Sequence, residues 1–149
     1  MKITYKGDYA LKIILDLALL YNQGKTSIKE ISKRQDIPRK FLEQIVTILK
    51  SAGYLKTERG SGGGISLSKD PAKITLGEII RLIEGPTSPI TCVSRSKYTK
   101  CDFEAKCALR TVFEKIRDRT SEIIDKTTFK DMVDKTKSLQ KNIHPDYVI

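Results

Sequence analysis

The 149-residue sequence has a single histidine, His144, and three cysteines, with no Cys-x-x-Cys pair. It shows no nucleophile, base and orienting-group set, and no phosphate loop of the form Gly-x-x-x-x-Gly-Lys-Ser/Thr. The usual sequence signs of nucleophilic catalysis and nucleotide binding are therefore missing, and Gly62-Gly63-Gly64 alone is too weak to replace them. No apolar run approaches the roughly eighteen residues of a membrane helix, so no membrane partner is expected. Met1-Lys2-Ile3-Thr4 does not lead into a signal peptide. The odd cysteine count argues against a closed disulfide framework and suits a reducing compartment, so a cytoplasmic protein is expected.

What is present suffices for one core, with 39% apolar residues, and the net charge of +10 suits an anionic partner. Composition alone does not choose between nucleic acid and a membrane surface. The excess is spread along the chain, because residues 1–70 carry thirteen basic residues against seven acids and residues 71–149 carry fifteen against eleven. Local geometry must identify the partner.

The most informative stretch runs from Ser27 to Leu67. Ser27 and Glu30 have the spacing of a capping box, which satisfies two backbone donors at a helix start. Ile28 and Ile31 then share a face, the pattern breaks at Gln35-Asp36-Ile37, and Pro38 suits the opening of a second helix. Phe41, Leu42, Ile45, Val46 and Leu49 recur at helical spacing and predict a buried stripe. Arg39, Lys40, Glu43, Gln44, Thr47 and Lys50 are left outside, where such side chains meet base edges or phosphates. Gly53 stops the helix. Tyr54–Thr57 and Ile65–Ser68 read as two short strands joined by a glycine-rich loop with Arg59 near its tip, followed by Gly60 and Ser61. An arginine so placed suits a narrow minor groove. The order predicts a winged helix-turn-helix that holds double-stranded DNA, with Ser27, Phe41, Gly60 and Ser61 counted among its contact residues. The bland alternative is a solvated helix beside a hairpin that touches no nucleic acid.

The fold expected is mainly α with a small β-hairpin wing and a long C-terminal dimerisation helix. Before the motif, a helix from about Asp8 to Tyr21 is apolar nearly all round. After the wing, Thr75 and Glu78 cap a helix that Gly85-Pro86 stops, closing a DNA-binding unit over residues 1–85. Residues 86–101 read as an irregular, cysteine-bearing loop. In residues 102–127, Ala105, Leu109, Val112, Ile116 and Ile123 form one apolar seam, which predicts a helix paired with a second copy. Two-fold symmetry would match a palindromic operator. Folding back on its own domain is the alternative for that helix. Residues 128–149 predict a short helix around Met132–Leu139 and a disordered tail from Lys141.

Cys92, Cys101 and Cys107 fall within sixteen residues. Thiolates suit iron-sulfur clusters, zinc or copper(I), and Lys97, Lys100 and Lys106 favour the thiolate form. A thiol-disulfide switch and small buried hydrophobes are the alternatives. Three sulfurs leave a fourth position open. His144 reads as a solvated tail residue, Glu104 as a helix-start acid, and Asp8 as either a ligand or the N-cap of the first helix.

From Met1 to about Ile124 the chain resembles the Rrf2 family of bacterial transcription regulators. The marks are Phe41-Leu42-Glu43-Gln44, Arg59-Gly60-Ser61-Gly62-Gly63-Gly64 and the three late cysteines. The resemblance implies a homodimer of crossed long helices whose iron-sulfur cluster, two-iron (2Fe-2S) ahead of four-iron (4Fe-4S), sets DNA affinity. It implies Cys92, Cys101 and Cys107 as iron ligands, with Asp8 of the partner subunit as the fourth. Lys40, Glu43 and Gln44 would face base edges and Arg59 the minor groove. The sequence departs from that pattern at three points. Eight residues separate Cys92 from Cys101, longer than in the cluster regulators, although the five between Cys101 and Cys107 agree. Arg110 stands where cluster-binding members carry histidine, and Ser61 where proline is common. The function expected is a repressor sensing iron-sulfur status, oxidants or nitric oxide. The same regulator with a thiol switch or zinc site is the alternative, and a small iron-sulfur or redox protein binding an acidic partner is the alternative from another class.

Overall fold

Thr4 opens the first helix, its hydroxyl accepting the Gly7 N–H at 3.3 Å. Its own N–H and hydroxyl both donate to Glu84 Oε1, at 2.8 and 2.7 Å, so the start of the chain is tied to the end of a distant helix. Helix α1 is Tyr5–Leu19. It begins before the apolar stripe does, which places Asp8 inside the first turn, paired with Lys12 at 2.7 Å, and gives the N-cap role to Thr4. In this computed structural model, which describes residues 1–143, five more α-helices and one two-stranded sheet follow.

Helix α1 is the axis of the core. Ala10, Ile13, Ile14 and Leu17 are buried, and the helix packs against four others. That explains a sequence apolar on nearly every side. Helix α2 (Ile28–Gln35) carries the predicted capping box, with Glu30 N–H donating to Ser27 Oγ and Ser27 N–H to Glu30 Oε2. A buried carboxylate fastens α2 to α1. Asp16 accepts from Arg34 Nε and Nη2 at 3.0 and 2.7 Å and from Gln35 Nε2 at 2.8 Å. Burying a charge is tolerable when it is paired and hydrogen-bonded in this way.

The turn after α2 places Asp36 in the left-handed region, at φ 51°, and drives Ile37 into the core. Pro38 is the cap residue of α3 (Arg39–Ser51) and not its first helical position. Strands β1 (Leu55–Glu58) and β2 (Gly64–Leu67) pair antiparallel, with Leu55 opposite Leu67 and Glu58 opposite Gly64. Each lies within one residue of the strand expected. Helix α4 (Leu76–Glu84) starts on the Thr75–Glu78 capping box and ends at Gly85.

Helix α5 (Ala108–Lys126) begins later than residue 102, because Glu104–Lys106 close into a 3-10 turn and Cys107 becomes the cap residue. Helix α6 (Phe129–Ile143) is longer than expected and turns back onto α1. Phe129 and Val133 enter the core, and Phe129 N–H donates to Ile74 O at 2.9 Å. Lys141 is therefore helical. His144 and the rest of the expected tail lie outside the described residues. None of the described helices is long and apolar enough to cross a membrane.

Candidate nucleic-acid interface and cysteine segment

Helix α3 buries Leu42, Ile45, Val46 and Leu49 and leaves Arg39, Lys40, Glu43, Gln44, Thr47 and Lys50 exposed. Phe41 departs from the expected stripe. It is 55% exposed and stacks at a tilt on Tyr9, with ring centroids 6.4 Å apart. Its position is at the edge of the apolar arc, so it joins the outward face with the polar residues. The first turn of α3 holds no acid and two cations, Arg39 and Lys40. A helix N-terminus disfavours positive charge, so these residues suit an incoming anion better than the helix itself. Thr47 Oγ1 donates back to Glu43 O at 2.9 Å, which leaves its lone pairs for a partner. Ser27 is exposed, but its hydroxyl already serves the capping box.

The wing is held from below. Thr26 and Ile65 exchange backbone hydrogen bonds of 3.1 and 2.7 Å, and Lys25 pairs with Glu58 at the loop end of the hairpin. Its tip folds tightly, with Gly63 N–H donating to Gly60 O at 3.0 Å. A Cβ on Gly63 would lie 2.3 Å from Glu58 O, so the backbone approach there requires glycine. Arg59, Gly60 and Ser61 are all exposed on the tip.

The cysteine segment joins α4 to α5. Cys92 lies in a 3-10 turn (Thr91–Val93), Cys101 precedes the turn before α5, and Cys107 caps α5. All three are half-buried free thiols. Their chemistry suits a soft metal, but among the described residues no three Cys, His, Asp or Glu side chains come together around one ion. The placement of the donors does not fit a metal centre in this arrangement. Asp8 lines an open groove with Lys2, Ile3, Thr4 and Tyr5, a different one from the groove that Cys101 lines.

The loop is instead fastened by charged hydrogen bonds. Glu104 accepts from Tyr98 Oη at 2.9 Å and pairs with Arg110 at 2.6 Å, and Arg110 pairs with Glu114 at 3.0 Å. Burial pushes the Glu104 carboxyl up, but hydrogen bonds from Tyr98, Arg110 and the Cys101 N–H outweigh it and hold the pKa below the ordinary value. Glu114 and Glu104 together raise the Arg110 pKa. Sequence reasoning noticed Arg110 as a departure but missed this network. The four-residue spacing of Arg110 and Glu114 was its visible trace.

The Rrf2 family model, described as an iron-dependent transcriptional regulator, matches residues 3–135. The chain belongs to the Rrf2 family. It is 37% identical to the HTH-type transcriptional regulator CymR of Bacillus subtilis over 141 residues, covering 95% of this chain and 96% of that one. The solved structure of that relative, described as the global cysteine regulator, superposes with a TM-score of 0.78, covering 90% of this chain and 97% of that one. IscR of T. potens follows at TM-score 0.75 and 31% identity, covering 94% and 91%. The oxidized form of Staphylococcus aureus CymR gives 0.72 and 32%, covering 89% and 96%. This protein is thus a transcription regulator with a DNA-binding winged helix and not an enzyme. The reading as a small redox protein for an acidic partner falls with that membership.

Proposed function

We propose that two copies of this chain form a repressor that grips a palindromic DNA site and is switched by chemistry at Cys92, Cys101 and Cys107. One observation carries the reading. Leu109, Val112, Ile116 and Ile123 stand 66%, 54%, 45% and 65% exposed along α5, the helix that Cys107 caps. An apolar seam of that kind calls for a matching surface, and an identical helix supplies it. Two-fold pairing would set the α3 helices for successive major grooves, about 34 Å apart. Lys40, Glu43 and Gln44 then face base edges, Arg39, Thr47 and Lys50 the backbone, and Arg59 the minor groove, with Ser27, Phe41, Gly60 and Ser61 at the rim.

The switch follows from linkage. Whatever favours one arrangement of the cysteine segment favours one seating of α5, and DNA affinity changes if the seatings space the α3 helices differently. For the chemistry at the sulfurs, the three thiols and the likeness to IscR support an iron-sulfur cluster, two-iron or four-iron, with Asp8 of the partner subunit as fourth ligand. A second reading, thiol oxidation, is favoured by the ungathered donors, the engaged Arg110 and the likeness both to the cysteine regulator of B. subtilis and to S. aureus CymR, which has been solved in an oxidized form. Protein purified without oxygen distinguishes them. Visible absorbance with iron and acid-labile sulfide, lost on replacing all three cysteines with alanine, is the result expected for the cluster. A colourless product with operator affinity that responds to peroxide and recovers with thiol overturns the cluster and leaves the switch. Zinc alone would make the segment a structural metal site.

A further inference from the structure

A cleft of about 210 Å³ lies where α4, the cysteine segment and α5 meet, on a wall separate from the one bearing Cys101. Its lining includes three guanidinium groups, Arg81, Arg95 and Arg117, and one carboxylate, Asp125. Thr87 and Ser121 add hydroxyls, and Thr87 is only 7% exposed. The cleft is smaller than most ligand pockets, so it suits a molecule of a few heavy atoms.

The arginines differ in how far they are committed. Arg81 is locked onto Asp125 by two hydrogen bonds, of 2.6 and 2.9 Å. Arg117 spends Nε and Nη2 on Asp118 and Nη1 on Val93 O. Arg95 makes a single bond to Asp118, at 2.8 Å, and its side chain is 70% exposed. An arginine has five donors, so Arg95 has N–H groups to spare at the mouth, while its two neighbours are each neutralised by a paired carboxylate and the three arginines exceed Asp118 and Asp125 by one positive charge. Arg81 comes from α4, Arg95 from the cysteine segment and Arg117 from α5; among the described residues Asp125 is the one acid in the lining, with Asp118 behind Arg95 and Arg117.

We propose that this cleft is an effector site for a small oxyanion, a carboxylate, sulfate or phosphate borne by a compact metabolite. Arg95 would close on the anion and Ser121 and Thr87 would hydrogen-bond its remaining oxygens. At the same cleft Arg81–Asp125 joins α4 to α5 and Arg117–Val93 joins the cysteine segment to α5, so occupancy biases the seating of α5. The regulatory half rests on the DNA-binding reading above, and the binding half does not.

Isothermal titration at constant ionic strength, in a chloride buffer, with sulfate, phosphate and succinate as separate probes, tests the binding half. Saturable 1:1 binding of at least one probe is expected, weakened tenfold or more by Arg95→Gln and by Ser121→Ala. Arg59→Gln, on the wing, should leave it unchanged. No saturable binding of any probe overturns the site, as does binding that survives both cleft variants or vanishes with Arg59→Gln. If operator affinity, measured with and without the saturating probe, shifts threefold or more in the wild type and not in Arg95→Gln, the effector role stands. Binding without that shift overturns the role.

Discussion

The two ends of this chain use their apolar residues in opposite ways. Between Tyr5 and Glu84 the large apolar side chains are turned inward apart from Tyr5, Phe41 and Leu82, and α6 returns to supply Phe129 and Val133 to the same core. Helix α5 buries only Ile124 and displays Leu109, Val112, Ile116 and Ile123. The first arrangement is complete within one polypeptide. The second leaves apolar surface uncovered by its own chain, and the cysteine segment stands between them.

That contrast is broken most sharply by paired substitutions. Leu42→Ala, in the closed core, should cost about 2–5 kcal/mol in urea unfolding, the usual range for a fully buried leucine. Ile116→Glu, on the open seam, should leave the helical content of the monomer intact while shifting sedimentation equilibrium from dimer to monomer. If Ile116→Glu unfolds the chain instead, the seam is part of its own core. A smaller effect sharpens the DNA face. Gln44→Ala should cost about 1–3 kcal/mol on the best operator and relax one base position, whereas Lys50→Ala should weaken all sequences alike. Competition binding with scrambled duplex reads both.

The smallest effect belongs to the joint. Because hydrogen bonding holds Glu104 below its ordinary pKa of 4.5, its contribution to loop order is fully present above that value and lost as acid takes the group through its lowered pKa. The protection of the Cys101 amide, its exchange rate relative to the intrinsic rate at each pH, should therefore fall on acidification, and Glu104→Gln should make that protection independent of pH.

The winged helix-turn-helix was legible because each of its parts has a local signature. Capping boxes at Ser27 and Thr75 and the glycines of the wing need no distant partner to be read. Its errors were at margins. Phe41 has helical spacing with the core residues but falls just outside their arc, and exposed Tyr5 and Lys6 hide the start of α1 and with it the capping role of Thr4. The joint was much less legible. Helix α5 looked longer because Ala105 keeps the seam's spacing, although the backbone there is a 3-10 turn. Helix α6 looked short because two buried residues among lysines give a weak period. The Tyr98–Glu104–Arg110–Glu114 set and the arginine cleft depend on contacts across the segment, which spacing does not report.

The two cations opening α3 have a further consequence. In the free protein Arg39 and Lys40 sit against the positive end of their own helix, a repulsion of about 0.3–1 kcal/mol each at low salt. A phosphate arriving there would relieve that repulsion as well as form new bonds. The helix start would then be more at ease on the duplex than in water, and greater calm in solution would come at the expense of the grip.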